Sequence, residues 1–378
     1  MIVKNGLVYN TVMKKFYKND LKIENGKIID IGVFDCDDFT VDADGKYVIP
    51  GLVDIHSHGA VGVDTMDSDS DKLVEMCKFY SSHGVTTLFP TTTTAKHVDT
   101  KKAILSVVEA DEEKCTVSLR GVHVEGPYLN VKRAGAHPHD LLKAPDISET
   151  KEYIELAGDK RLYITVAPEL DGAIDFIKEA VSLGAKVSIG HSETDSEVIK
   201  KALDAGATSF THTYNAMTPI HHREPGVVGM ALLSDAYAEF ICDGEHLNPD
   251  VVAMSYKTKS RDRFVLVTDS MQAAGMPDGV YMLGELETYV VDGVARIKEG
   301  NLAGSTANLY NCMTNLMKFA GISLEDAVIC ATRNPAMAAG IYDKVGSIEK
   351  GKDADIVILD TDMTIEKTIS RGRIVYDK

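Results

Sequence analysis

Residues 51–59 read GLVDIHSHG, two histidines one residue apart between an apolar run and a glycine. Side chains alternate along a strand, so residues i and i+2 share a face. His56 and His58 would project together, roughly 7 Å apart along the backbone, close enough to reach one ion. Gly59 then lets the chain turn away. The same pair could also be two imidazoles at the end of a surface strand, so the rest of the chain decides.

Other residues able to bind a cation end other apolar runs. Glu125 closes LRGVHVE, His191 lies in KVSIGHS, His212 in ATSFTHT and Asp269 in FVLVTDS. Singly, each has an ordinary reading: a core imidazole, a turn glutamate before Gly-Pro, an aspartate capping a turn. Together they form a His/Asp/Glu set without cysteine, which suits Zn²⁺ and also fits Fe²⁺, Mn²⁺ or Co²⁺. A divalent ion lowers the pKa of its water to roughly 7 and polarises a carbonyl. A carboxylate must then move the proton, and Asp269 is the candidate. The expected chemistry is hydrolysis at a carbon centre, most simply of an amide.

The elements that position these residues form a regular series. Eight short strands are expected at 53–58, 85–91, 119–125, 162–168, 186–192, 207–213, 237–243 and 264–270. Amphipathic stretches separate most of them, such as 71–84 and 195–206, the latter with Thr194 and Glu197 as a capping box. Alternation of this kind predicts an α/β fold, a (β/α)8 TIM-like barrel over 50–345. A doubly wound sheet is the runner-up, weakened because no G-x-G-x-x-G follows the first strands. In such a barrel the C-terminal strand ends carry the chemistry, and all six candidates fall there. Residues 1–49 and 346–378 are rich in β-like runs, with hairpin signals at Asn5-Gly6, Asn25-Gly26 and Asp44-Gly45. These ends are expected to pack together as a small β-sandwich domain.

Net charge is −17. This argues against nucleic acid and anionic membranes as partners, and any anionic substrate would need local cations. There is no charged-then-apolar leader at Met1 and no run of about 18 apolar residues, so a cytoplasmic protein is expected. Cys36, Cys77, Cys115, Cys242, Cys312 and Cys330 include no C-x-x-C pair and read as reduced, mostly buried thiols.

PGLVDIHSHG (50–59), the histidines of the fifth and sixth strands, the Asp of TDS and the tail GSIEKGKDADIVILD (346–360) resemble the amidohydrolase superfamily. HVEGPYLN (123–130), GAHPHD (135–140), GHSETD (190–195), THTYNAM (211–217), HHREPGVVG (221–229), CDGEHLNPD (242–250) and NLAGSTANL (301–309) narrow the resemblance to the N-acetylglucosamine-6-phosphate deacetylase family. It spans the whole chain. It implies that Glu125, His191 and His212 hold the main metal and that His56 and His58 help hold a second, giving one or two ions per chain. Many superfamily members place a carboxylated lysine on strand four; RLYITVAPE ends without one, and Glu125 matches the glutamate that takes its place. The resemblance further implies that His137 polarises the acetamide carbonyl. Asn215, Ala216, Arg223 and His246 would meet the sugar phosphate, with Arg223 contributed across a homodimer interface. The implied activity is deacetylation of N-acetylglucosamine 6-phosphate in amino-sugar catabolism or cell-wall recycling. The alternatives are a cyclic amide hydrolase or deaminase, and a barrel serving as a non-catalytic scaffold. His221 and His222 depart from the family pattern and have no assigned role. His123, on the same strand face as Glu125, would support it from behind.

Overall fold

The computed structural model describes residues 1–35 and 39–378. Cys36, read above as a thiol, lies outside them; the other five cysteines are free and buried.

Both chain ends join in one eight-stranded sheet. Ile356–Leu359 from the end runs antiparallel to Tyr47–Pro50 from the start. The near-continuous apolar runs of these two strands have a simple cause. Val48, Ile356 and Ile358 face a small core shared with Val3, Leu21, Ile28 and Ile369, whereas Ile49, Val357 and Leu359 face the large core. A strand buried on both faces loses the usual apolar/polar alternation.

Asn25-Gly26 joins two antiparallel strands, Lys15–Glu24 and Lys27–Gly32, as expected of a hairpin. Asn5-Gly6 does not turn the chain. It sits inside the strand Ile2–Asn10, at a bulge between Val3 and Gly6. A Cβ on Gly6 would crowd the Val48 side chain, so glycine serves close approach here. Asp44-Gly45 links Thr40–Asp42 to Tyr47–Pro50, which run parallel to that same first strand, so it is a corner along one edge and makes no hairpin.

Eight parallel strands build the large unit: Leu52–Ser57, Val85–Thr92, Gly121–Glu125, Arg161–Val166, Lys186–Ile189, Ser209–Phe210, Tyr237–Ile241 and Phe264–Val267. An open doubly wound sheet would leave the first and eighth strands apart. Instead their ends meet through a parallel bridge between Ser57 and Ser270. Asp269 N donates to His56 O at 2.8 Å, and His58 N donates to Ser270 O at 2.8 Å. The result is a nearly closed barrel, and the seam sets the His-x-His pair beside Asp269.

The barrel interior is layered, as in packed barrels generally. Val53, Ile55, Phe89, Tyr163, Val265 and Val267 form an apolar floor, sealed by Ala336, Ala339 and Ile341 near the chain end. Gly121 starts the third strand where a Cβ would strike the Phe89 ring and the Arg161 carbonyl. Gly121→Ala is therefore expected to lose about 1–3 kcal/mol in urea unfolding through overpacking.

The helix Ser196–Asp204 begins one residue later than the capping box implied. Asp195 is its N-cap, accepting from Glu197 N at 3.0 Å and Val198 N at 3.1 Å. An ionised cap at a helix N-terminus also meets the helix dipole favourably. Thr194 N instead donates to Thr218 Oγ1. A three-stranded sheet, Gly279–Leu283, Leu286–Val291 and Val294–Ile297, interrupts the final βα connection and has no counterpart in the sequence reading above. Its Gly284 N donates to the buried Asp64 carboxylate, which brings Leu283 to the mouth of the barrel. No helix of the described residues is long and apolar enough to cross a membrane.

Candidate active site

All six strand-end candidates converge, although strict alternation alone would separate some of them. Val53 and Ile55 belong to the barrel floor, so a regular strand would send His56 outward. The pairing register shifts between Asp54 and Ser57, and this irregularity brings His56 and His58 to the inner face. His191, His212 and Asp269 each adopt a left-handed backbone, with φ of 47°, 28° and 50°. Non-glycine residues avoid this region, so surrounding contacts must hold all three there.

Glu125 is the hub. Its Oε1 lies 3.0 Å from His212 Nε2 and 3.3 Å from His191 Nε2. Its Oε2 lies 3.4 Å from His56 Nε2 and 3.2 Å from His58 Nε2. Asp269 Oδ1 lies 3.3 Å from His56 Nε2 and 3.1 Å from His58 Nε2. Among the described residues two groups result that could hold a cation, His56–His58–Glu125 and Glu125–His191–His212, and Glu125 belongs to both. Ligands about 2.1 Å from a tetrahedral ion stand roughly 3.4 Å apart, close to the spacings here.

The ring tautomers support the same reading. His191 Nδ1 donates to Arg133 O at 2.7 Å, and His58 Nδ1 donates to Thr91 O at 3.2 Å. His56 Nδ1 donates to Glu239 Oε2 at 3.3 Å. In each neutral ring Nε2 is then left as a lone pair facing the cluster, the arrangement usual for histidine ligands. His191 Nε2 stands 3.0 Å from His212 Nε2, where a shared cation satisfies both better than one proton.

Electrostatics agree. Burial lowers the basicity of His56 and His58, but Glu125 and Asp269 outweigh it, pushing His58 up to about 9 and His56 well above its ordinary value. Burial conversely raises the carboxyl groups, yet the His56 imidazole and its neighbours hold Glu125 and Asp269 below the usual range. The protein alone thus draws positive charge into this buried space.

The cluster opens into a cavity of about 440 Å³ lined by His137, Asn215, Ala216 and His246 among others. His137 differs from the ligand imidazoles. Its Nδ1 accepts from Thr94 N at 3.3 Å, so in the neutral ring Nε2 carries the proton, 3.6 Å from Glu125 Oε2. His246 Nδ1 donates to Asp243 Oδ2 at 2.7 Å. Arg223 does not line this cavity; it lies on an exposed loop against His222.

His123 packs edge-on against His56, with ring centres 4.5 Å apart, and bonds Thr165 Oγ1 at 2.7 Å. It thus lies behind His56, with no hydrogen bond to Glu125 among those formed by the described residues. Three contributors escaped the sequence reading. Lys132 and Arg133 line the cavity from the short 3-10 helix Val131–Arg133, which carries no motif. Glu239 sits under the cluster, and the signal that could have found it is an acid inside the apolar strand YAEFI.

Residues 47–375 match the amidohydrolase family, and the chain belongs to it. Among its relatives is the N-acetylglucosamine-6-phosphate deacetylase of Vibrio furnissii, 37% identical over 332 residues, covering 87% of this chain and 83% of that one. The N-acetylgalactosamine-6-phosphate deacetylase of Escherichia coli O157:H7 is 34% identical over 333 residues, 88% of each chain. The crystal structure of N-acetylglucosamine-6-phosphate deacetylase from Thermotoga maritima superposes with a TM-score of 0.90 at 34% identity, covering 100% of both chains.

Proposed function

We propose that this chain hydrolyses N-acetylglucosamine 6-phosphate to acetate and glucosamine 6-phosphate, in the cytoplasm, for amino-sugar catabolism or cell-wall recycling. The observation that carries this reading is the convergence of Glu125, Asp269 and four imidazoles beneath a cavity whose wall offers a further donor, His137. Glu125, His191 and His212 would hold one divalent ion, and His56 and His58 with Glu125 a second; zinc suits this donor set best. When bound, such an ion would supply Lewis-acid polarisation of a carbonyl and a lowered pKa for water beside it. Asp269, at the cavity floor, accepts the proton of the attacking water and returns it to the amine nitrogen as the C–N bond breaks. His137 donates from Nε2 to the carbonyl oxygen as that oxygen gains charge.

The phosphate meets Asn215, the Ala216 backbone and His246 at the cavity wall. Arg223 reaches it from the second subunit of a homodimer, a placement suggested by its exposure away from the cavity of its own chain. Local cations of this kind hold an anion despite the net charge of −17.

The assignment is tested by acetate release from N-acetylglucosamine 6-phosphate, its 4-epimer and the unphosphorylated sugar. N-acetylglucosamine 6-phosphate is expected to have the highest kcat/KM. Preference for the unphosphorylated sugar would return the substrate to the wider family.

Arg223→Ala is expected to raise KM by about tenfold or more. Mixing it with inactive Asp269→Asn under subunit exchange is expected to restore about a quarter of wild-type activity, through one intact site in each mixed dimer. No recovery after verified exchange would place Arg223 in its own subunit's site or outside the reaction.

A further inference from the structure

Glu239 is fully buried on the seventh strand, and the steps above do not use it. Its Oε1 accepts from Tyr163 OH at 2.7 Å. Its Oε2 accepts from His56 Nδ1 and from the backbone N of His212, each at 3.3 Å. Its only ion-pair partner among the described residues is His56; no lysine or arginine reaches it.

An ionised carboxylate in this position needs a compensating positive charge. With a cation at Nε2 in place of a proton, the His56 ring is neutral and carries that interaction onward. With Nδ1–H held by Glu239, Nε2 is fixed as a lone pair aimed between Glu125 and Asp269. Through His212 N the same carboxylate also braces one ligand of the other group.

We propose that Glu239 is a positioning residue that sets the affinity of the cation position formed by His56, His58 and Glu125. The inference rests on the reading of this cluster as a cation site and is independent of the sugar substrate.

The test compares wild type, Glu239→Gln and His56→Asn after stripping with a chelator. Each is titrated with Zn²⁺ alone by calorimetry, and the melting temperature of each apoprotein is measured. Glu239→Gln is expected to melt with the wild-type apoprotein. It should lose the same ion that His56→Asn loses, or bind it at least about tenfold more weakly. A merely structural role would lower the apoprotein melting temperature and leave zinc affinity unchanged. Wild-type stoichiometry and affinity in Glu239→Gln overturn the proposal, as does an unchanged zinc titration in His56→Asn. Should Glu239→Gln fail to fold, Glu239→Asp keeps the charge but draws it back from His56 and must show the same selective loss; unchanged affinity there overturns the proposal equally. Because zinc uptake is read without sugar, a failed substrate assignment leaves the result intact.

Discussion

Asp269→Asn is expected to lower kcat for acetate release by about a hundredfold to ten-thousandfold, with zinc content close to wild type. The residue lies at the cavity floor, with Oδ1 shared between His56 and His58. Its backbone is fixed by the barrel seam through hydrogen bonds to His56 O and from Ser305 N, neither of which needs the carboxylate. Asparagine fits the same space and keeps these bonds. What it lacks is a site to accept the proton of water. The loss should therefore appear in kcat with little change in KM, because the interaction belongs to the transition state. Near-normal turnover would remove Asp269 from the reaction.

Glu125→Gln should act on a different quantity. Among the described residues its carboxylate is the one group common to both candidate cation positions. Glutamine presents one carbonyl oxygen and one NH2 group to imidazoles whose Nε2 atoms already face inward, so a ligand becomes a donor among lone pairs. Bound metal is expected to fall to near zero, and activity with it. Stability offers a separate readout. Zinc at 100 times its dissociation constant stabilises the wild-type fold by about 2.7 kcal/mol, and this increment should vanish in Glu125→Gln. Equal zinc-induced shifts of melting temperature in both proteins would show that the ion is held elsewhere.

The reasons the site was legible from sequence are specific. His56, His58, Glu125, His191, His212 and Asp269 each lie at the end of a short apolar run, and the barrel rule turns five strand ends far apart in sequence into one place. Their exact aim was less legible. Alternation predicts that His56 and His58 share a face, but the register irregularity that selects the inner face depends on pairing with the second strand. Glu239 lies in mid-strand, where the barrel rule assigns packing, so its role emerges only once His56 Nδ1 is seen against it. The sheet at 279–297 was missed although Asp292-Gly293 marks a turn between its second and third strands, because a regular βα series leaves no reason to expect an insertion there. Asn5-Gly6 shows the converse error. A strong local turn signal was overridden by the tertiary demand for a close approach to Val48. Arg223 has a motif, but within its own chain it meets only His222 and His221 of its exposed loop among the described residues and lines no part of the cavity, so its position decides nothing until a second subunit is considered.

On the proposed function, this cluster uses a divalent ion to cleave the acetamide of a phosphorylated amino sugar. The most direct measurement is acetate release from N-acetylglucosamine 6-phosphate by one purified sample, as isolated, after chelation and after zinc is returned. Chelation is expected to abolish hydrolysis and zinc to restore it. Hydrolysis that persists in protein shown by elemental analysis to be metal-free would contradict the proposed function.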